Sequence, residues 1–286
     1  MIKYPAQHFF LQSLVDFAGT FPPAGLPLAE SLLRFRTYQH GLAPSMLGRF
    51  ICAGSALAEL ARLIEPGDRL MVSVLLSQPE EVSLVESFHA QVPTSVRVDT
   101  VETAWGQAEE WLQRWNYRLF FEVTPKDFEQ GATFCAPHHG RLGLKLRTGS
   151  VEPEGIPPAQ QLVNFLDVVH AGKVPYKFTA GLHHAWAAAY PLTYAEDAPR
   201  ARLFGFVQLF TLACLHWCGQ LDSDQLLRAL QQDGPVITAD SQGLRYAEQL
   251  CSSDTISEYR QHGGRSFGSC SFEEPLEELR EMGWIC

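Results

Sequence analysis

The chain has 286 residues, 46% of them hydrophobic and 19% charged, a composition that builds a large core and excludes disorder. With 22 Lys and Arg against 32 Asp and Glu, the formal charge is −10. Phosphate neutralisation needs clustered positive charge, so nucleic acid is not expected as a partner, whereas a small anionic metabolite held by a few local cations remains open.

In chain order, the first 46 residues read as a helical layer packed on the main body. An apolar stretch, FFLQSLVDFAG, is followed by a Pro-rich turn, FPPAGLP, and a second helix, LAESLLRFRTY. From residue 47 onward, short apolar runs alternate with helical patterns. Strands are expected at Gly48–Cys52, Leu70–Leu76, Ser95–Val101, Tyr117–Val123, Leu142–Leu146 and Pro175–Thr179, each followed by a helical segment. A long apolar helical region then ends near Gly219. VITADSQGLRYA reads as a hairpin turning at Asp240 to Gly243. A seventh strand, Ser266–Phe272, precedes a terminal helix, EEPLEELREMG. Strands alternating with helices indicate a parallel sheet. Seven regular units and one irregular unit predict an α/β fold, a (β/α)8 TIM-like barrel, irregular near its seventh unit and spanning residues 47–286. An open doubly wound sheet is the weaker alternative, because no GxGxxG turn follows any strand.

The seven cysteines, Cys52, Cys135, Cys214, Cys218, Cys251, Cys270 and Cys286, are odd in number and contain no CxxC, which suits free thiols in a reducing cytoplasm. The N-terminus shows no signal-peptide pattern. The longest apolar stretch, Leu203 to Cys218, is too short to span a bilayer, so no membrane is expected as a partner.

Barrel chemistry sits at the C-terminal ends of the strands, and unusual polar residues fall there. Glu122 ends the run YRLFFEV. Lys145 and Arg147 lie two apart in LGLKLRTGS, so one strand face would carry both, and Lys177 and Thr179 repeat the spacing one strand later. A buried lysine is costly unless paired, which sets these residues apart from a plain apolar barrel wall. His183 and His184 follow Gly181 directly; one of them is expected at the mouth for proton transfer or hydrogen bonding. His138, His139 and Glu122 match no standard zinc spacing, so no metal and no cofactor is expected. The run GGRSFGSCSFEEP places Arg265, Ser266, Gly268 and Ser269 in an anion-binding loop before the last helix. Cys270 alternates with Ser269 and Ser271 and is expected to face the helix layer, without a nucleophilic role.

The stretches LGRFICAGSALAEL, GLKLRTGS, YKFTAGLHH, LFGF and SFGSCSFEEPLEEL together resemble a family of uncharacterised, mostly bacterial proteins. That family carries patterns close to KxRxGG, FKxTAGLHHP and FGSCSFxEP. The chain departs from them at Ser150, where Gly is usual, and at Ala185, where Pro is usual. A weaker pattern likeness is to class I aldolases of the deoxyribose-phosphate aldolase type. It rests on Lys145 with Thr148 and Gly149, and on Lys177 with Thr179 and Gly181. That likeness implies that one lysine forms a Schiff base while the other depresses its pKa.

These residues lead to an expected barrel lyase or isomerase acting on a small anionic carbonyl compound, phosphorylated ones included. Lys177, Lys145, Glu122 and His183 would carry the chemistry. Arg147, Thr179, His184, Arg265, Ser266, Gly268 and Ser269 would bind the anion. A covalent route needs one of the two lysines partly neutral near pH 7, and Lys177 is the first choice. The alternative is a barrel that binds an anion, or acts as a regulatory scaffold, without turnover.

Overall fold

In the computed structural model, which describes residues 2–138 and 140–285, eight parallel strands close into one barrel. The chain runs through α1 (Pro5–Leu11), β1 (Val15–Phe17), α2 (Leu28–Gln39), β2 (Leu47–Ala53), α3 (Leu57–Leu63), β3 (Leu70–Leu75) and α4 (Val82–His89). It continues through β4 (Val96–Ala104), α5 (Ala108–Arg114), β5 (Arg118–Glu122), α6 (Phe128–Cys135), β6 (Leu142–Arg147), α7 (Ala159–Ala171) and β7 (Tyr176–Thr179). An insertion follows: β8 (Ala188–Pro191), β9 (Arg200–Leu203), α8 (Phe206–Trp217), α9 (Ser223–Leu230), β10 (Ile237–Ala239), β11 (Gly243–Tyr246) and β12 (Gln249–Ser252). The chain returns through α10 (Ser253–His262) to β13 (Gly264–Ser269) and ends in α11 (Glu273–Glu281). The ring order is β1, β13, β7, β6, β5, β4, β3, β2, and back to β1. The fold is a (β/α)8 TIM-like barrel.

The eighth strand is not near the irregular seventh unit. It is β1, which lies inside the stretch FFLQSLVDFAG that reads as one helix. The helix stops at Leu11, Ser13 takes a positive φ of 48°, and Val15 to Phe17 pair with β13 on one side and β2 on the other. The barrel therefore begins at residue 15, and the N-terminal 46 residues are not only a helical layer over it. A three-residue strand inside an apolar run carries no period of its own, so pattern alone cannot separate it from helix. The hairpin at Ile237 to Tyr246 does form, with Asp240 at its turn, and β12 extends it to a three-stranded antiparallel sheet outside the barrel. The last barrel strand starts at Gly264 and ends at Ser269, earlier at both ends than expected.

Strand alternation decides what the barrel encloses. Tyr176 and Phe178 are fully buried on the outer face of β7, with ring centroids 5.6 Å from Phe165 of α7 and 5.4 Å from Phe210 of α8, respectively. Leu144 and Leu146 on β6, and Leu119 and Phe121 on β5, are likewise buried. Burying each such side chain contributes roughly 1.5–3 kcal/mol, so these anchors hold the opposite parity inward. Inside are Lys177, Lys145, Phe120 and Glu122. Gly143 makes room for them: a Cβ there would lie 2.5 Å from both the Phe120 ring and the Pro175 carbonyl oxygen.

Among the described residues, no helix is long and apolar enough to cross a membrane. The apolar stretch from Leu203 ends β9 and then forms α8, a helix packed on the outer face of the barrel against Phe178 and Phe267.

Candidate active site at the barrel mouth

The barrel interior holds a ladder of alternating charge. Glu122, Lys145 and Lys177 are register neighbours across the parallel strands β5, β6 and β7, as are Arg147 and Thr179. Lys177 Nζ donates to Asp16 Oδ2 at 2.7 Å and to Glu102 Oε1. Lys145 Nζ donates to Glu102 Oε2 and to Glu122 Oε2, both at 2.9 Å. Arg147 Nε donates to Glu122 Oε1 at 3.1 Å. The order Asp16, Lys177, Glu102, Lys145, Glu122, Arg147 thus runs from a fully buried carboxylate to a half-exposed guanidinium. Ser73 Oγ donates to Glu102 Oε1 and Ser266 Oγ to Asp16 Oδ2, each at 2.7 Å.

Desolvating an ion costs roughly several kcal/mol, and an apolar filling of the same volume is often more stable, so a ladder of this kind marks a functional region. Burial pushes Glu102 up, but the nearby charges of Lys177 and Lys145 more than reverse this and hold it well below the usual carboxylate range. Glu122 is lowered in the same way, burial being outweighed by Lys145 and Arg147. Burial pulls Lys145 down, yet Glu102 and Glu122 raise it above its ordinary value. The expectation that a second cation would depress one lysine is therefore corrected. A carboxylate stands between the two lysines, and Lys145 rests as an ammonium.

Above the ladder opens a cavity of about 510 Å³. Its floor and one wall include Glu102, Lys145, Arg147, Thr179 and Gly268. The loop after β1 adds Phe21 to Pro23, and the β8–β9 hairpin adds Leu192 to Tyr194 and Leu203. Both lysines are buried, at 3% and 1% exposure, but Lys145 is part of the cavity wall and Lys177, held by two carboxylates, is not. The loops after β6 and β7 touch: a Cβ on Gly149 would lie 2.4 Å from Gly181 Cα, and Thr148 Oγ1 donates to the Ala180 carbonyl at 2.6 Å. Gly181 has a φ of +77°, the tight turn expected before the histidines.

Both histidines line the cavity, not one. His183 Nδ1 bonds Glu274 Oε2 at 2.7 Å, and its Nε2 lies 3.9 Å from Cys270 Sγ. His184 Nδ1 bonds Glu278 Oε1 at 2.5 Å, and its ring stacks on Tyr190 with centroids 3.4 Å apart. Glu274 and Glu278 are four apart on α11 and so share one helix face, which lets two adjacent histidines find separate partners. Burial pulls His183 down, but Cys270 and Glu274 outweigh it and push it up to about 9.

The last strand divides by parity. Ser266 faces the ladder, and Gly268 and Cys270 line the cavity. Ser269 faces away; its Oγ accepts from the Ser271 backbone amide at 3.3 Å. Cys270 therefore points to the mouth, contrary to the expected orientation towards the helices. Arg265 is not at the mouth. Because β13 starts at Gly264, Arg265 sits at the opposite end of the barrel, where it donates to the carbonyls of Arg260, at 3.2 Å, and Gln261. Burial, with Arg118 and Arg49 nearby, lowers it to about 10.

Sequence reasoning missed Glu102 and Asp16. Glu102 lies one residue past the expected end of its strand, and a register irregularity between Val98 and Thr100 turns it inward, against the alternation set by Val96 and Val98. Asp16 lies in the strand read as helix, and nothing local marks it. His138 precedes β6, at the end of the barrel away from Glu122, while His139 and Cys286 lie outside the described residues. Among the described residues, no three His, Cys, Asp or Glu side chains are grouped so as to hold a metal ion. Comparison with protein-family models, curated proteins and solved structures finds no match to this chain.

Proposed function

We propose that the protein is a barrel enzyme, a lyase or isomerase, acting on a small anionic carbonyl compound bound at the mouth. The observation that carries this reading is Lys145: an ammonium on the cavity floor, flanked by two carboxylates, with the guanidinium of Arg147 beside it. A phosphate or carboxylate group would sit against Arg147. The substrate carbonyl oxygen would accept from Lys145, whose fixed charge favours the enolate-like oxygen that forms when an adjacent C–H or C–C bond breaks. Once the substrate draws on Lys145, Glu122, which bonds Lys145 and Arg147 without lining the cavity, loses part of the attraction that depresses it and becomes a stronger proton acceptor, working through Lys145. His183, charged near neutrality, would return the proton.

The covalent variant starts from the same groups. Lys145 would pass a proton to a flanking carboxylate and then attack the carbonyl carbon. Its place in the cavity wall makes it a better candidate than Lys177.

The test is exchange of substrate C–H protons in D2O, followed by NMR across small keto and aldehyde phosphates and carboxylates, with borohydride trapping in parallel. Exchange that is lost in Lys145→Met and Glu122→Gln supports the reading. Binding without exchange or cleavage across the panel would leave a non-catalytic anion-binding protein. That second reading has one observation in its favour: the three carboxylates of the ladder already offset its three cations.

A further inference from the structure

Three elements converge at one side of the cavity with no part in the ladder. Cys270 follows the last barrel strand, His183 follows β7, and Glu274 lies in the first turn of α11. Glu274 Oε2 is 2.7 Å from His183 Nδ1, so this nitrogen carries a proton and the ring orientation is set. The other nitrogen, Nε2, then faces Cys270 Sγ at 3.9 Å. Tyr194, from the loop after β8, closes over the group, with its hydroxyl 3.4 Å from Glu274 Oε2 and 4.0 Å from Cys270 Sγ. A thiol, an imidazole turned towards it and a carboxylate on the far ring nitrogen are the parts of an activated nucleophile. All of them line the same cavity as Lys145 and Arg147.

We propose that Cys270 is a nucleophilic thiol of this site, with His183 as its proton partner and Glu274 as a positioning residue, and that it adds to the carbonyl carbon of the bound substrate. The addition step rests on the anionic-carbonyl reading above; the activation of the thiol does not. In the resting pair the thiol proton resides on His183 Nε2. The thiolate forms a C–S bond, the carbonyl π pair moves to oxygen, and that oxygen takes the proton from His183. The product is a thiohemiacetal with a neutral imidazole, and no oxidant or reductant is consumed. Among the described residues, the polar side chains next to Cys270 Sγ are His183 and Tyr194, with Glu274 behind both, and of these His183 alone can carry a positive charge. Cys52 and Cys135 show the contrast: burial alone pushes their thiols up to about 12.

The experiment is alkylation of the full chain by iodoacetamide, with peptide mass mapping of each cysteine. At pH 7 Cys270 should react about tenfold faster than free glutathione, an unpaired thiol, and His183→Gln should remove that advantage. A Cys270 that reacts no faster than glutathione, or equally fast in His183→Gln, overturns the activation. If His183→Gln loosens the fold, the buried Cys52 and Cys135 will label too, and the wild-type pH profile then decides. Labelling already at its plateau at pH 7 supports a thiolate–imidazolium pair, whereas an inflection at the ordinary thiol value of about 8.5 overturns it.

Two further arms separate this proposal from the reading it rests on. Iodoacetate should be preferred over iodoacetamide at Cys270 but not at Cys218, and Arg147→Ala should abolish the preference. Fast alkylation without that preference keeps the nucleophile and removes the anionic substrate. Glycolaldehyde phosphate should protect Cys270 while inorganic phosphate does not. Equal protection by both, or by neither, overturns the addition step.

Discussion

Asp16 Oδ2 lies 2.7 Å from Lys177 Nζ, joining the first strand of the barrel to the seventh across the intervening last strand. Both side chains are within 2% of complete burial, so neither can turn to water if the other is removed. Asp16→Asn or Lys177→Met should each cost about 3–5 kcal/mol in a denaturant titration. The double variant should cost less than the sum of the two. Additive losses would show that the pair is not coupled.

The ladder also dictates a pH window. Glu102 and Glu122 titrate below the ordinary carboxyl value of 4.5 in the folded state. Their contribution to stability is present above that value and lost as pH falls through the folded pKa. Lys145 titrates above 10.5, so its contribution is present below that value and lost as pH rises through the folded pKa. The denaturation midpoint should fall off on both sides of a plateau between these limits, and Glu122→Gln should weaken the acid limb. An acid limb unchanged in Glu122→Gln would rule out its pairing with Lys145.

His183 gives a third limb inside that plateau. Its pKa rises from an ordinary 6.5 to about 9, so its pairing stabilises fully below 6.5 and is lost as pH climbs towards 9. Measured in Cys270→Ser, where no thiol proton is shifted onto the ring, melting temperature should drift downward over this interval, and it should not in the same variant carrying His183→Gln as well. The same drift in both proteins would assign it to another group.

Arginine placement separates the two ends of the barrel. Arg147→Ala should weaken phosphate binding by about tenfold, because it removes a charge-assisted contact at the mouth. Arg265→Ala should leave phosphate binding unchanged, since its guanidinium is engaged by backbone carbonyls at the far end. Calorimetric titration of both variants checks this, and loss of binding in Arg265→Ala would contradict the site.

Gly143 lets Phe120 and Lys177 share the barrel interior, with Lys177 Nζ 5.4 Å from the centre of the Phe120 ring. Gly143→Ala pushes a methyl group against that ring and against the immovable Pro175 carbonyl, and should cost about 1–3 kcal/mol. Gly106→Ala is the control, because nothing lies within 4 Å of its added Cβ. Equal stability of the two variants would refute the packing argument.

Much of the barrel was legible in the sequence because a parallel strand buried on its outer face leaves a short apolar run bounded by turn residues. YRLFFEV, LGLKL and PYKFT each did so, and their alternation alone put Glu122, Lys145 and Lys177 on one face. What alternation cannot state is which residue stands opposite. The partners of Lys177 come from Asp16 and Glu102, 161 and 75 residues away in sequence, and the barrel's closure brings them together. Where strands begin and end was equally a tertiary matter. The single-residue parity of β13 decides whether Ser269 or Cys270 faces the mouth, and hydrogen bonding to β1 and β7 sets that parity. Residue type and local period thus determined the barrel and the side of the wall on which its lysines lie. Only closure of the sheet decided that a carboxylate, rather than a second cation, sits beside each lysine, because charge neutrality in a desolvated interior is a property of the assembled ring and not of any one strand.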